Sequence, residues 1–126
     1  METTPIALFE RGIRILPDGK IFDEPRRMSG DIDGWTLAAF RVATDAEVHG
    51  DLWEMHPDGA ELVTVLSGGI RLILRAGETP ETSVPLRAGQ AFIVPRGRWH
   101  RIELDEPSEL MSLTLRAGTE LEKRAD

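Results

Sequence analysis

The feature that most constrains this chain is a succession of short β-branched and aliphatic segments, each closed by Gly, Pro or Asp. Ile13 to Leu16 stops at Pro17-Asp18-Gly19-Lys20, a turn by residue type. Trp35 to Thr44 follows Asp33-Gly34, and Leu52 to His56 stops at Pro57-Asp58-Gly59. Glu61 to Leu66 and Ile70 to Arg75 flank Ser67-Gly68-Gly69, which reads as a tight hairpin whose glycines supply positive φ. Ser83 to Leu86, Ala91 to Val94, Trp99 to Leu104 and Glu109 to Leu115 complete the predicted strands. This rhythm is that of an all-β sandwich or barrel. No segment carries a capped apolar stripe of period 3.6. The stretch from Asp23 to Gly34, with Pro25, Arg26, Arg27, Gly30 and three aspartates, reads as a loop over the barrel mouth or toward a partner subunit. The tail from Thr119 to Asp126 reads as one helical turn or a mobile end.

A chain of 126 residues is expected to form one domain with a core of its own. The predicted organisation is an N-terminal arm and loop over 1–34, a barrel over 35–117 and a tail over 118–126. The formal charge of −7 argues against a nucleic-acid backbone as partner and against anionic membrane. The absence of cysteine excludes disulfides, thiolate chemistry and any metal site built on sulfur. Met1-Glu-Thr-Thr-Pro5 shows neither a basic n-region nor a long apolar run, so a cytoplasmic location is the expectation.

Strand alternation then picks out a polar cluster. Glu54 and His56 are two residues apart and share a face. Glu61 lies across the Pro57-Asp58-Gly59 turn on the opposing strand, and its face continues as Val63 and Val65. His100 shares its face with Ile102 and Leu104. A carboxylate on an apolar face is costly unless it is paired or bound to a metal. Two imidazoles and two carboxylates suit Mn, Fe, Zn or Ni, and oxygen donors favour the harder ions.

These segments resemble the cupin superfamily. Its first motif is Gly-x5-His-x-His-x(3,4)-Glu-x6-Gly, matched here by His56, Glu61 and Gly68. Its second is Gly-x5-Pro-x-Gly-x2-His-x3-Asn, matched by Gly89, Pro95, Gly97 and His100. The resemblance spans roughly Trp35 to Leu115. It implies a double-stranded β-helix, or jelly-roll, barrel with one divalent metal ion held by Glu54, His56, Glu61 and His100. Three positions depart from the pattern: Val48 and Leu104 stand where the motifs begin and end with Gly and Asn, and Glu54 stands where the family has its first histidine.

Each candidate also has a plain reading. His56 and His100 can serve as hydrogen-bonded core histidines, and Glu54 as an acceptor for His56 or a rim charge. His49 falls on the opposite face by strict alternation, and a loop or interface role is expected of it. Trp53, Met55 and Trp99 face away from the ligands and are expected to pack on the sheet. Arg98 shares the parity of His100 and is the predicted contact for a carboxylate-bearing ligand.

Three functions follow. One is a metal-dependent cupin enzyme acting on a small organic acid or related metabolite by dioxygenation, isomerisation or decarboxylation. The second is a non-enzymatic cupin, with or without metal, that binds or senses a small molecule. The third is a structural barrel with an empty cavity. A homodimer is expected in every case, with Ile13-Arg-Ile-Leu16 as the candidate edge or exchanged strand.

Overall fold

A computed structural model describes residues 3–27, 33–75, 77 and 81–124. Its strands are β1 (Arg11–Ile15), β2 (Ile21–Pro25), β3 (Trp35–Val42), β4 (Leu52–Met55), β5 (Glu61–Ser67), β6 (Gly69–Leu74), β7 (Thr82–Arg87), β8 (Ala91–Val94), β9 (His100–Leu104), β10 (Ser108–Leu115) and β11 (Glu120–Lys123). They form two antiparallel sheets. One has the order β2-β1-β3-β10-β5-β8, the other β11-β4-β9-β6-β7. The strands β3 to β10 make a two-sheet jelly roll. β1 and β2 extend one sheet, and β11 extends the other.

From β3 onward the chain crosses between the sheets after every strand except at the β6–β7 pair, and this topology corrects the turn readings. Ser67-Gly68-Gly69 does not close a hairpin. β5 pairs with β10 and β8, whereas β6 pairs with β7 and β9, so the glycines carry the chain across from one sheet to the other. The Pro57-Asp58-Gly59 turn likewise joins β4 of one sheet to β5 of the other. Glu61 therefore faces Glu54 and His56 across the sandwich and does not sit beside them on a neighbouring strand.

Alternation builds the core. Val42, Val63, Val65, Ile70, Leu72, Leu74, Leu86, Val94 and Leu110 form one buried cluster between the sheets. Val65, Ile70 and Leu72 are fully buried, and each such side chain contributes about 1.5–3 kcal/mol relative to exposure. Along β5 and β9 the apolar residues run deeper from Glu61 and His100, so the polar groups collect at one end of the barrel. A turn of 3-10 helix, Asp45–Val48, packs against the other end of β9, at Leu104, and its Val48 reaches the cavity wall. Its Asp45 Oδ1 accepts the Leu104 N–H at 2.8 Å, and Glu47 Oε1 accepts the Ala43 N–H at 2.9 Å.

Three further readings are corrected. β1 is not an edge: it lies between β2 and β3, and β2 is the outer strand. Of the loop expected over 23–34, Asp23, Glu24 and Pro25 belong to β2, while 28–32 lie outside the described residues. The tail supplies β11, which pairs antiparallel with β4 from Glu120↔Met55 to Lys123↔Leu52. All of its side chains are exposed, so it carries no alternation for a sequence reading to detect.

The crossing at Gly68 is a steric requirement. Its φ is +87°, and a Cβ there would lie 2.4 Å from Ser108 Oγ and 2.6 Å from the Pro107 carbonyl. Gly89 has a similar φ of +84° but open space around it. Gly89→Ala should therefore cost roughly 1–2 kcal/mol from backbone conformation alone, and Gly68→Ala clearly more, as read from urea denaturation midpoints.

Candidate metal centre

Four side chains converge at the polar end of the barrel: Glu54 from β4, His56 just beyond it, Glu61 at the start of β5 and His100 at the start of β9. One donor atom from each lies within 4.8 Å of all the others. The two sequence segments are also joined directly. Glu54 pairs with His100 in the β4–β9 register, and the Gly97 N–H donates to the His56 carbonyl at 2.9 Å.

Both imidazoles turn Nε2 inward. His100 Nε2 lies 2.8 Å from Glu61 Oε1 and 3.8 Å from Glu54 Oε1. His56 Nε2 lies 3.1 Å from Glu54 Oε1 and 3.4 Å from Glu61 Oε2, yet it is buried without an aligned hydrogen bond. The opposite ring nitrogens are held from outside the cluster. His56 Nδ1 is 2.8 Å from Thr119 Oγ1, and His100 Nδ1 is 3.1 Å from the Arg98 carbonyl. A ring held at Nδ1 with Nε2 left for the centre is the arrangement of a metal-ligating histidine. Glu61 is fixed by a 2.5 Å hydrogen bond donated by Thr114 Oγ1.

The electrostatics fit a cation. Burial opposes ionisation of Glu61, but the His100 and His56 rings outweigh it and hold its carboxyl well below the usual range. Glu54 is lowered as well: burial and Glu61 raise it, while His56 and Arg116 lower it more. Burial disfavours charge on His56, but the Glu54 and Glu61 carboxylates push its pKa up to about 9. A divalent ion would replace that proton as the partner of the two carboxylates.

Of the predicted site residues, the structure brings Glu54, His56, Glu61 and His100 together. It does not bring Arg98 to them. Arg98 Nε donates to the Arg75 carbonyl at 3.1 Å, and Arg98 is not part of the adjoining cavity wall. Its contribution to the cluster is the backbone carbonyl that orients His100. The cavity, of about 130 Å³, is walled by Glu54, Glu61, His100 and Arg116 on its polar side and by Phe40, Val48, Leu52, Ile102 and Leu110 among its apolar side chains. His49, expected in a loop or interface role, also lines this cavity. Trp53 packs on the outer face of its sheet under Arg75 and Arg101, and Trp99 lies against Arg75.

Sequence reasoning missed Thr114, Arg116 and Thr119. The first two carried a signal. Ser112, Thr114 and Arg116 share the inward parity of Leu110, so polar side chains recur on a buried face, as at Glu61. Thr119 had none, since its position depends on how the tail pairs.

A jelly-roll barrel with inward-facing histidines and carboxylates at one end defines the class. The sequence profile of the cupin domain family matches residues 40–115, and the chain belongs to that family. No curated protein matches the chain. Among solved structures, it is similar to a cupin-2 domain-containing protein from Shewanella frigidimarina NCIMB 400, with 20% identity over 71% of this chain and 78% of that one and a TM-score of 0.52. It also resembles an oxalate oxidase in complex with the substrate analogue glycolate, with 19% identity over 69% of this chain and a TM-score of 0.51. A third similarity is to an oxalate decarboxylase from Bacillus subtilis with Mn(II) centres, with 19% identity over 71% of this chain and a TM-score of 0.54. The chain spans 44% of the oxidase and 23% of the decarboxylase.

Two expectations follow. In metal-free protein, His56 is protonated in the folded state up to about pH 9, against about 6.5 when unfolded. Its stabilisation is complete below the lower value and lost as pH rises through the upper. Urea unfolding of metal-free protein should therefore show stability falling from about pH 7 to 9 by up to roughly 3 kcal/mol, and His56→Gln should flatten that slope. Thr119→Val, which removes the hydroxyl at His56 Nδ1, should weaken metal binding by about 10–100-fold, with recovery in Thr119→Ser.

Proposed function

We propose that this protein is a mononuclear metal-dependent cupin in which Glu54, His56, Glu61 and His100 hold one divalent ion, with Mn, Fe, Zn and Ni as the candidates. The observation that carries the reading is the convergence of four donors with both histidine rings held at Nδ1 and the Nε2 of His56 left without a hydrogen bond. Two neutral imidazoles and two carboxylates bring a divalent cation close to net zero charge. When bound, the ion would supply Lewis acidity at a site walled in part by Leu52, Ile102 and Leu110. Thr114, Thr119 and the Arg98 carbonyl hold the donors in place, so little ordering remains when the ion enters.

In this proposal the ligand is a small organic acid or related metabolite, and the reaction is dioxygenation, isomerisation or decarboxylation. The oxalate-processing structural neighbours support the ligand class. The cavity supports its size, since about 130 Å³ is below the roughly 300–1,000 Å³ usual for drug-sized ligands. A cytoplasmic setting and a homodimer belong to the same proposal. The outer face of the six-stranded sheet supports pairing of two copies, because the register aligns Ile13, Leu37, Leu113, Leu62 and Ile93 across it.

A specific observation favours a second reading, a cupin that binds a small ligand without turnover. Glu54 replaces the family's first histidine and already faces a cation, Arg116, at 3.6 Å. Thermal-shift screening followed by turnover assays separates the two, because stabilising ligands that are never transformed support the binding module.

Protein purified without added metal should contain about one equivalent of one of the four ions, and Glu61→Ala and His100→Ala should contain almost none. Calorimetry near pH 7.5 in buffers of different ionisation enthalpy should report release of about one proton per ion as His56 gives up its charge. A metal content near zero that added Mn, Fe, Zn and Ni all fail to restore would end the metal reading.

A further inference from the structure

Arg116 is a buried guanidinium whose surroundings do not account for it. It follows β10 on the inward parity of Thr114, is 6% exposed, and lines the cavity with Glu54, Glu61 and His100. Its Nε is buried with no hydrogen-bond partner. Its Nη1 lies 3.6 Å from Glu54 Oε2, close enough for charge attraction but too long for a hydrogen bond. A buried charge is tolerated when it is both paired and hydrogen-bonded, and Arg116 has only the first. The second arginine at this cavity, Arg101, also has a buried Nε without a partner, but the rest of its guanidinium is engaged. Its guanidinium is committed to Glu103 at 2.5 Å and to the face of Trp53 at 5.1 Å.

We propose that Arg116 is an anion subsite that takes the carboxylate of a short organic acid, with the other end of that acid directed at the cluster of Glu54, His56, Glu61 and His100. The second half of this statement rests on the metal-dependent reading above. A guanidinium presents parallel N–H donors that match both oxygens of a carboxylate, which a lysine in the same place could not reproduce. The apolar side chains Val48, Leu52, Ile102 and Leu110 in the wall lower the local polarity, which strengthens such a pair. Glu54 links the two halves of the site. One of its oxygens faces His56 and His100, and the other faces Arg116. A ligand carboxylate at Arg116 replaces the long contact to Glu54 with direct hydrogen bonds and leaves Glu54 to the donor cluster. The small volume selects acids of a few carbon atoms, and the single guanidinium selects the anion over its neutral amide.

The test is calorimetric titration of the full chain, metal-free and loaded with Mn(II), with malonate and with its neutral analogue malonamide. Malonate should bind the loaded protein and malonamide should not. Arg116→Gln should weaken malonate binding by about 10–100-fold while Mn(II) binding is retained. Arg116→Lys should fall between the two, and it serves as the folded variant if Arg116→Gln does not fold. Arg11→Gln, at a surface ion pair with Asp23 away from the cavity, should bind malonate as the unmodified protein does. Unchanged malonate affinity in the Arg116 variants overturns the subsite, as does Mn(II) binding with no response to malonate. If no ion binds, the metal reading fails by itself. Malonate binding to the metal-free protein that Arg116→Gln abolishes would then still support the subsite, and its absence would overturn it.

Discussion

The carboxylate of Glu61, buried between two β-sheets at the head of an otherwise apolar row, is the group around which this end of the barrel is organised. An isolated charge in that position would be expelled or neutralised. It is retained because His100, His56 and Thr114 each direct a polar hydrogen or ring nitrogen at it. Those three residues come from three different parts of the chain, so the carboxylate acts as a register mark for the fold. β9 must begin at His100, β10 must place Thr114 inward, and the chain must leave β4 at His56. A slip of one residue in any of these strands would turn the partner outward and leave Glu61 alone in the core.

The same arrangement explains why the site can stay assembled without an ion. Protonation of His56 gives the two carboxylates a cation, and Arg116 gives Glu54 a second one. The metal-free protein is thus a closed electrostatic set and not an array of repelling ligands. In the proposed metal reading, entry of the ion would exchange one partner for another, with a proton leaving as the ion arrives. The exchange is easier because the rings need not reorient: Thr119 and the Arg98 carbonyl already hold them.

How much of this was legible in the sequence depended on whether a feature was local. Alternation is local, and it put Glu54 and His56 on one face, set Glu61 with Val63 and Val65, and set His100 with Ile102. The cupin motifs then supplied the long-range pairing that alternation cannot give. What failed was everything decided by which sheet a strand joins. Pro57-Asp58-Gly59 and Ser67-Gly68-Gly69 carry the same residue types whether they close a hairpin or cross a sandwich, so composition could not separate the two. β11 has no buried face and therefore no pattern, yet it brings Thr119 to His56. Arg98 was chosen by counting from His100, but it precedes the first residue of β9. Arg98 itself closes the turn that starts at Pro95, its N–H donating to the Pro95 carbonyl at 3.1 Å, so strand parity does not extend to it.

Glu54 is where the family pattern and the local physics meet. A histidine there would contribute a neutral donor and would have no use for a buried guanidinium. A carboxylate adds a negative charge beside Glu61, and the two repel. That repulsion has to be offset, and the structure offsets it with Arg116 on one side and His56 on the other. The substitution of glutamate for histidine and the burial of Arg116 are therefore two aspects of one adjustment. With a carboxylate at position 54 next to Glu61, the barrel needs a compensating cation. That cation stands in the cavity wall with an unpartnered Nε, so the departure from the motif at position 54 and the proposed anion subsite rest on the same residue pair.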